Sequence, residues 1–330
     1  MIRFFSGTSV REAVSPDRAL EAVRDAFVAY ARGDWTMPPK VYVPAYPAGD
    51  FRAMPALGAG HALLKWVTSF PGNPAQGLPT VSGLVLLSDA SNGLLKAALD
   101  AGAVTALRTG AAAVLAAETL GRSGAQTAAV IGAGVNGEAA ARTFVARGRR
   151  VLLWDVDRGR AESVAGRIGA DVAASRDDAL DADLLVTVTP GREIVLEEGS
   201  LRPGQHVSLM GADGPGKAEI AVGELARVRV FCDDRGQGDP KGTPGRGRIY
   251  ADDWEQASHN GDLVHAVEAG VLTRDDVSQL GDVLIGTAEG RTSEGDITIF
   301  DSTGLAIQDL AIAIAAMERA DELDPPTIDL

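Results

Sequence analysis

The spacing of apolar positions changes period along the chain, and each change marks a new kind of element. From Ser15 to Gly33 apolar residues recur at helical spacing; Ser15 can cap, Pro16 suits the first helical position and Gly33 ends the run, so an amphipathic helix is predicted. Short apolar stretches between Gly, Pro and Asn turns then predict strands around residues 41–43, 52–55, 62–68 and 81–87, a meander belonging to an α+β lobe. Residues 105–120 are alanine-rich with an apolar face and predict a helix leading out of that lobe. After a polar break at 121–126, strand and helix patterns alternate, with strands at 127–131, 150–154, 184–189, 206–210 and 228–232. That alternation predicts an α/β domain with a parallel, doubly wound sheet. The tail from Phe300 to Arg319 reads as a strand end, a Ser/Thr cap and a helix too apolar to stand alone in water, expected to return to the first lobe at a dimer interface. No internal repeat is visible, and the Gly/Pro-rich stretch 236–248 is expected to be a mobile loop.

The length of 330 residues exceeds the roughly 250–300 at which single cores stop growing. Two domains are therefore expected: a substrate-binding and dimerisation domain over 1–115, joined by 300–330, and a nucleotide-binding domain over 116–299. Met1 to Gly7 lacks a basic and apolar leader and no later apolar run approaches about 18 residues, which predicts a cytoplasmic protein. Cys232 is the only cysteine, so an internal disulfide or thiolate cluster is excluded, and its apolar neighbours predict a buried strand thiol. A net charge of −14 argues against nucleic-acid and membrane partners. Of 31 basic residues only five are lysine (Lys40, Lys65, Lys96, Lys217, Lys241), and this acidic, arginine-rich balance suits a halophilic host, with GC-biased codon usage as the alternative.

Candidate chemistry gathers in two places. Gly132-Ala-Gly134-Val135-Asn136-Gly137 lies between a predicted strand and a predicted helix, where glycines permit a tight turn and close approach of a pyrophosphate to the helix N-terminus. Asp155 ends the next strand, positioned to accept from a ribose and to repel a 2′-phosphate, which favours NAD over NADP; Asp157 competes for that role, and helix capping is the plainer reading. Thr189, at a later strand end, joins the cofactor-binding set. The turn Gly211-Ala-Asp213-Gly-Pro-Gly-Lys217 follows another strand, where Asp213 is suited to acid/base work beside the cofactor and Lys217 to orienting the turn; capping is again the alternative. Lys40, Arg52, Lys65 and Arg108 all sit on apolar elements. Lys65, in Leu63-Leu-Lys65-Trp-Val67, buries an ammonium that is costly without an anionic partner. Singly each is an ordinary salt-bridge residue; together they predict a carboxylate pocket. His61, His206, His259 and His265 show no metal-ligand spacing and no metal is expected.

The runs Met37-Pro-Pro-Lys40-Val-Tyr, Arg52-Ala-Met-Pro-Ala, Lys65-Trp-Val-Thr-Ser-Phe-Pro-Gly-Asn-Pro, Gly77-Leu-Pro-Thr-Val, Leu107-Arg108-Thr109-Gly-Ala, the Asp213 turn, and Ile297-Thr-Ile-Phe-Asp-Ser-Thr-Gly-Leu-Ala-Ile-Gln-Asp309 resemble the ornithine cyclodeaminase and μ-crystallin family, in particular its archaeal alanine dehydrogenases. The resemblance covers almost the whole chain. It implies a homodimer with an NAD-binding Rossmann domain, and a substrate and dimer domain made by the N-terminal lobe and C-terminal helix. It further implies that Lys65 and Arg108 bind a substrate carboxylate, that Asp213 serves acid/base or amine-binding duty, and that Thr109 contacts a cofactor phosphate. The family's cyclodeaminases carry arginine at the position of Lys40 and glutamate at that of Arg52; a glutamate there helps hold a distal ammonium, whereas Arg52 would repel one. The implied activity is NAD-dependent interconversion of L-alanine with pyruvate and ammonia, with Lys65 and Asp213 as catalytic groups. The alternatives are an ornithine or lysine cyclodeaminase or ketimine reductase, and a non-catalytic, crystallin-like NAD-binding protein.

Overall fold

The computed structural model describes residues 1–212, 216–234 and 261–329; Asp213, His259 and the 236–248 stretch lie outside the described residues. The chain forms two compact units, one of residues 1–112 with 305–330 and one of residues 113–304.

The first unit is a mixed sheet backed by helices. After β1 (Ile2–Phe5) and α1 (Gly7–Ala13), α2 (Pro16–Ala31) begins where the pattern predicts, with the Ser15 hydroxyl accepting from Arg18 N at 3.2 Å. Strands β2 (Val41–Ala45), β3 (Gly49–Gly58), β4 (His61–Ser69), β5 (Val81–Asp89) and β6 (Leu95–Asp100) follow. The sheet order is Thr327–Ile328, β1, β6, β5, β4, β3, β2, antiparallel except where β1 runs parallel to β6. Neither β1 nor β6 is evident in the pattern: β1 is four residues long, and Leu95-Lys-Ala-Ala-Leu-Asp suits a helix as well as a strand until its neighbours pair with it.

Period-two alternation sends Arg52, Met54 and Ala56 of β3, Leu63, Lys65 and Val67 of β4, and Val85 and Leu87 of β5 to one buried face. The C-terminal helix, Ala306–Glu318, packs on β3, β4, β5 and α2. It is buried from Ala306 to Ala316 with Ile314 half-buried, so its apolar face is covered within the chain. The opposite face of the sheet carries the exposed apolar side chains: Val41, Val43, Leu57, Leu64, Trp66 and Leu84 are 41–57% exposed.

Helix α3 (Ala101–Leu120) corrects one expectation, because its 20 residues are long and apolar enough to cross a membrane by length and composition. Most of that run is buried within the protein, the behaviour of a core helix.

The second unit alternates β7 (Thr127–Ile131), α4 (Val135–Ala146), β8 (Arg150–Trp154), α5 (Arg158–Ile168), β9 (Asp171–Val172), α6 (Arg176–Leu180), β10 (Leu184–Thr187), β11 (His206–Leu209), α7 (Val222–Leu225), β12 (Arg229–Cys232), α8 (Leu263–Glu268), β13 (Val277–Gln279), α9 (Leu280–Leu284) and β14 (Thr298–Asp301). All its pairs are parallel, in the order β9, β8, β7, β10, β11, β14, β12, β13. This is the predicted Rossmann sheet, and every position of its central strands β10, β11 and β14 is buried, polar side chains such as His206 and Ser208 included. The late strand β14 inserts between β11 and β12. Strand order reverses between β7 and β10, which sets the ligand crevice at their carboxyl ends. Cys232 is fully buried on β12.

Candidate active site: a carboxylate pocket and a dinucleotide cradle

On the buried sheet face of the first unit, Lys65 is 1% exposed and its Nζ donates to Asp309 Oδ1 at 2.9 Å. Asp309, on the C-terminal helix, is the anion that the burial of Lys65 demanded. Arg108, from α3, places its Nε 3.7 Å from the same oxygen and donates through Nη1 to Gln308 Oε1 at 3.3 Å. Burial pushes the Lys65 ammonium down to about 8, Asp309 opposes this, and Arg108 and Arg52 add to it. Arg108 Nε, Gln308 Nε2 and Asp309 Oδ2 are buried without a hydrogen-bond partner. Two free donors and one free acceptor within a charged cluster suit a small zwitterion or 2-oxo acid.

Arg52 is buried close by, but its charge is answered locally: Nε donates to Asp50 Oδ1 at 2.6 Å and Nη2 to Asp50 Oδ2 at 3.2 Å, while the guanidinium lies 5.3 Å from the Tyr42 ring centroid. Asp50 therefore offsets part of the repulsion of a distal ammonium expected from Arg52. Lys40 is half-buried just before β2, and the Thr109 hydroxyl is buried with no partner.

In the second unit the glycine fingerprint forms a turn from β7 into α4. Gly132 has φ +106°, and a Cβ there would lie 2.6 Å from Val188 O; a Cβ at Gly137 would collide with Gly132 O. At Gly134 a Cβ would meet nothing within 4 Å. Gly134 is the N-cap of α4 yet offers no side-chain cap; Val135 after it is exposed and Asn136 half-buried. An uncapped helix start with open space before it fits the diphosphate of a dinucleotide. Asp155 Oδ2 accepts from Ala133 N and Oδ1 from Asp157 N, each at 2.8 Å, so it braces the same turn while retaining lone pairs for a ribose. Asp157 is the helix cap, accepting from Arg160 N at 3.1 Å. Arg160 Nη1 stands 3.4 Å from both Asp155 oxygens.

Sequence reasoning missed the group that ties the crevice together. Glu219 is wholly buried, and accepts from Thr189 N at 2.7 Å through Oε1 and from Thr187 Oγ1 at 2.8 Å and Gly211 N at 2.9 Å through Oε2. It clamps the carboxyl ends of β10 and β11, including Thr189 and the start of the turn that leads to Asp213. Burial pushes its carboxyl up, against the pull of these donors. Asp262, which accepts from Glu219 N, is raised to about 7 by burial and by Glu219, and Asp301 is raised well above the usual range by burial, Asp262 and Asp233. Glu219→Gln replaces one accepting oxygen with an amide that faces a donor. It is expected to cost about 1–3 kcal/mol in denaturant unfolding and to weaken NAD binding.

His206 belongs to the core: its Nδ1 meets Thr298 Oγ1 at 2.9 Å and its Nε2 meets Ser208 Oγ at 3.0 Å, with burial, helped by Arg291, lowering it to about 3. It is neutral and structural.

Residues 3–324 match the Ornithine cyclodeaminase/mu-crystallin family. Alanine dehydrogenase of Archaeoglobus fulgidus is 40% identical over 94% of this chain and 92% of its own length. An ornithine cyclodeaminase of Agrobacterium tumefaciens is 30% identical over 80% of this chain and 70% of its own. Among solved structures, an archaeal alanine dehydrogenase dimer with bound NAD superimposes with a TM-score of 0.89 at 36% identity, covering 100% of this chain and 99% of that one. The chain belongs to the ornithine cyclodeaminase/mu-crystallin family.

Proposed function

We propose that the protein is an NAD-dependent amino acid dehydrogenase that converts L-alanine to pyruvate and ammonia and catalyses the reverse reductive amination. The observation that carries the reading is the buried Lys65, Arg108 and Asp309 cluster, with its unfilled donors and acceptor. Two cations and one anion leave one positive charge, which a single carboxylate cancels. The uncapped α4, with Gly132, Gly134, Val135, Asn136 and Gly137, would hold the diphosphate, and Asp155 the adenosine ribose. NAD, when bound, supplies the hydride acceptor in deamination and the donor in amination. Lys65 and Arg108 fix the carboxylate, and so the orientation of the α-carbon hydrogen. Asp213, two residues beyond the Gly211 amide held by Glu219, is assigned the proton exchanges of the amine and of the water that hydrolyses the imine. The cyclodeaminase alternative needs an anion for a distal ammonium, and Asp50 is already engaged by two hydrogen bonds from Arg52. Steady-state assays with NAD and either L-alanine or L-ornithine test this reading: turnover of alanine, lost in Asp213→Asn, supports it, and proline formation from ornithine overturns it.

The apolar sheet face, with Phe51 and Trp66 stacked at 5.7 Å between centroids, supports a homodimer formed through that face. Trp66→Glu is expected to shift the protein from dimer to monomer in sedimentation velocity; an unchanged dimer would move the interface elsewhere.

A further inference from the structure

We propose that Asp309 is the positioning residue of the carboxylate pocket: it holds the Lys65 ammonium charged and aimed, and so sets the upper pH at which the pocket accepts a carboxylate. The proposal rests on the reading of this cluster as a carboxylate pocket, but its central test does not require turnover.

Lys65 Nζ is buried, with Asp309 Oδ1 at 2.9 Å as its acidic partner. An isolated ammonium so placed would shed its proton rather than remain charged in an apolar setting. Among the described residues, the other charged groups near it work in the same unfavourable direction. Arg108 from α3 lies 3.7 Å from the shared oxygen, and Arg52 from β3 repels Lys65 even with Asp50 attached. From α2 the buried titratable side chain is Tyr30; the buried residues of β5 are Val85 and Leu87, which carry no charge. Among the described residues, Asp309 is thus the group that keeps Lys65 protonated. Its second oxygen is unpartnered, leaving one acceptor for the substrate side of the pocket.

The direction follows from linkage. Lys65 titrates near 8, below the usual lysine value, so pocket charge is present below that pH and is lost above it. Removing the Asp309 charge lowers the lysine further, and carboxylate binding then fails at lower pH.

The test is a pH titration by NMR of protein carrying 13Cε/15Nζ-labelled lysine, where five lysines give few signals and Lys65→Arg assigns the one in question. In the wild type, Lys65 is expected to titrate near 8; in Asp309→Asn its midpoint should fall by about one pH unit or more. In parallel, the basic limb of kcat/KM should move down by the same interval in Asp309→Asn with whichever substrate turns over, pyruvate or a cyclic imine carboxylate, and should disappear in Lys65→Arg. Should Asp309→Asn not fold, the wild-type titration decides: a Lys65 midpoint below about 7, an amine left neutral in spite of Asp309, overturns the proposal. So does an unshifted midpoint in a folded Asp309→Asn. Failure of pyruvate turnover, by contrast, overturns only the choice of substrate made above.

Discussion

Lys65→Met is expected to lower kcat/KM for pyruvate by about a hundredfold or more and to destabilise the protein at once. The activity loss follows from removing a charge-assisted donor from a desolvated carboxylate site, where such a bond is worth about 1.5–3 kcal/mol and an unpaired substrate charge costs more. Stability falls because methionine fills the volume but leaves Asp309 buried with its nearest cation, Arg108 Nε, 3.7 Å away. Breaking a buried pair by removing one partner costs about 3–5 kcal/mol, and Arg108 brings this site toward the lower figure. Lys65→Met with Asp309→Asn should recover stability without recovering activity, since no buried charge is then stranded. Urea unfolding and steady-state kinetics on the single and double variants separate the two effects. A single variant with unimpaired kcat/KM would remove Lys65 from the substrate site.

Gly137→Ala should weaken NAD binding strongly. Its methyl would collide with Gly132 O and approach Val188 Cγ1 at 3.2 Å, so α4 must lift from the turn that aims its N-terminus at the diphosphate. Such overpacking costs about 1–3 kcal/mol, and cofactor affinity should drop by at least about tenfold. Gly134→Ala is the informative companion. No atom stands within 4 Å of its added methyl in the free protein, so the melting temperature should hold, while the methyl occupies the space needed by the diphosphate and weakens NAD. Calorimetric NAD titrations and thermal melts of both variants check this. A Gly134→Ala protein that binds NAD as tightly as the wild type would place the cradle elsewhere.

Much of this was legible in the chain where the determinants are local. The Ser15 cap and helical spacing predict α2, and β7 and β8 match their predicted ranges because both are short apolar runs bounded by polar or Gly residues. The need of Lys65 for an anion was also legible, since its strand is otherwise apolar. The identity of that anion was not, because Asp309 is 244 residues away and only the packing of the C-terminal helix on β4 joins them. A buried carboxylate in so apolar a helix was nevertheless a signal equal to Lys65. Asp50 could have been paired with Arg52 by strand periodicity alone, since residues two apart share a face. Glu219 gave no such hint: its role arises from the convergence of β10 and β11, which only the parallel sheet creates.

The most direct test of the central claim follows nitrogen. Purified protein is incubated with NADH, pyruvate and 15N-ammonium at low and high salt, and the products are analysed by mass spectrometry. 15N-labelled L-alanine is expected in equal amount to the NADH consumed, with no oxidation of NADH when ammonium is left out. NADH left intact with pyruvate and ammonium, but consumed with a cyclic imine carboxylate, would contradict that claim.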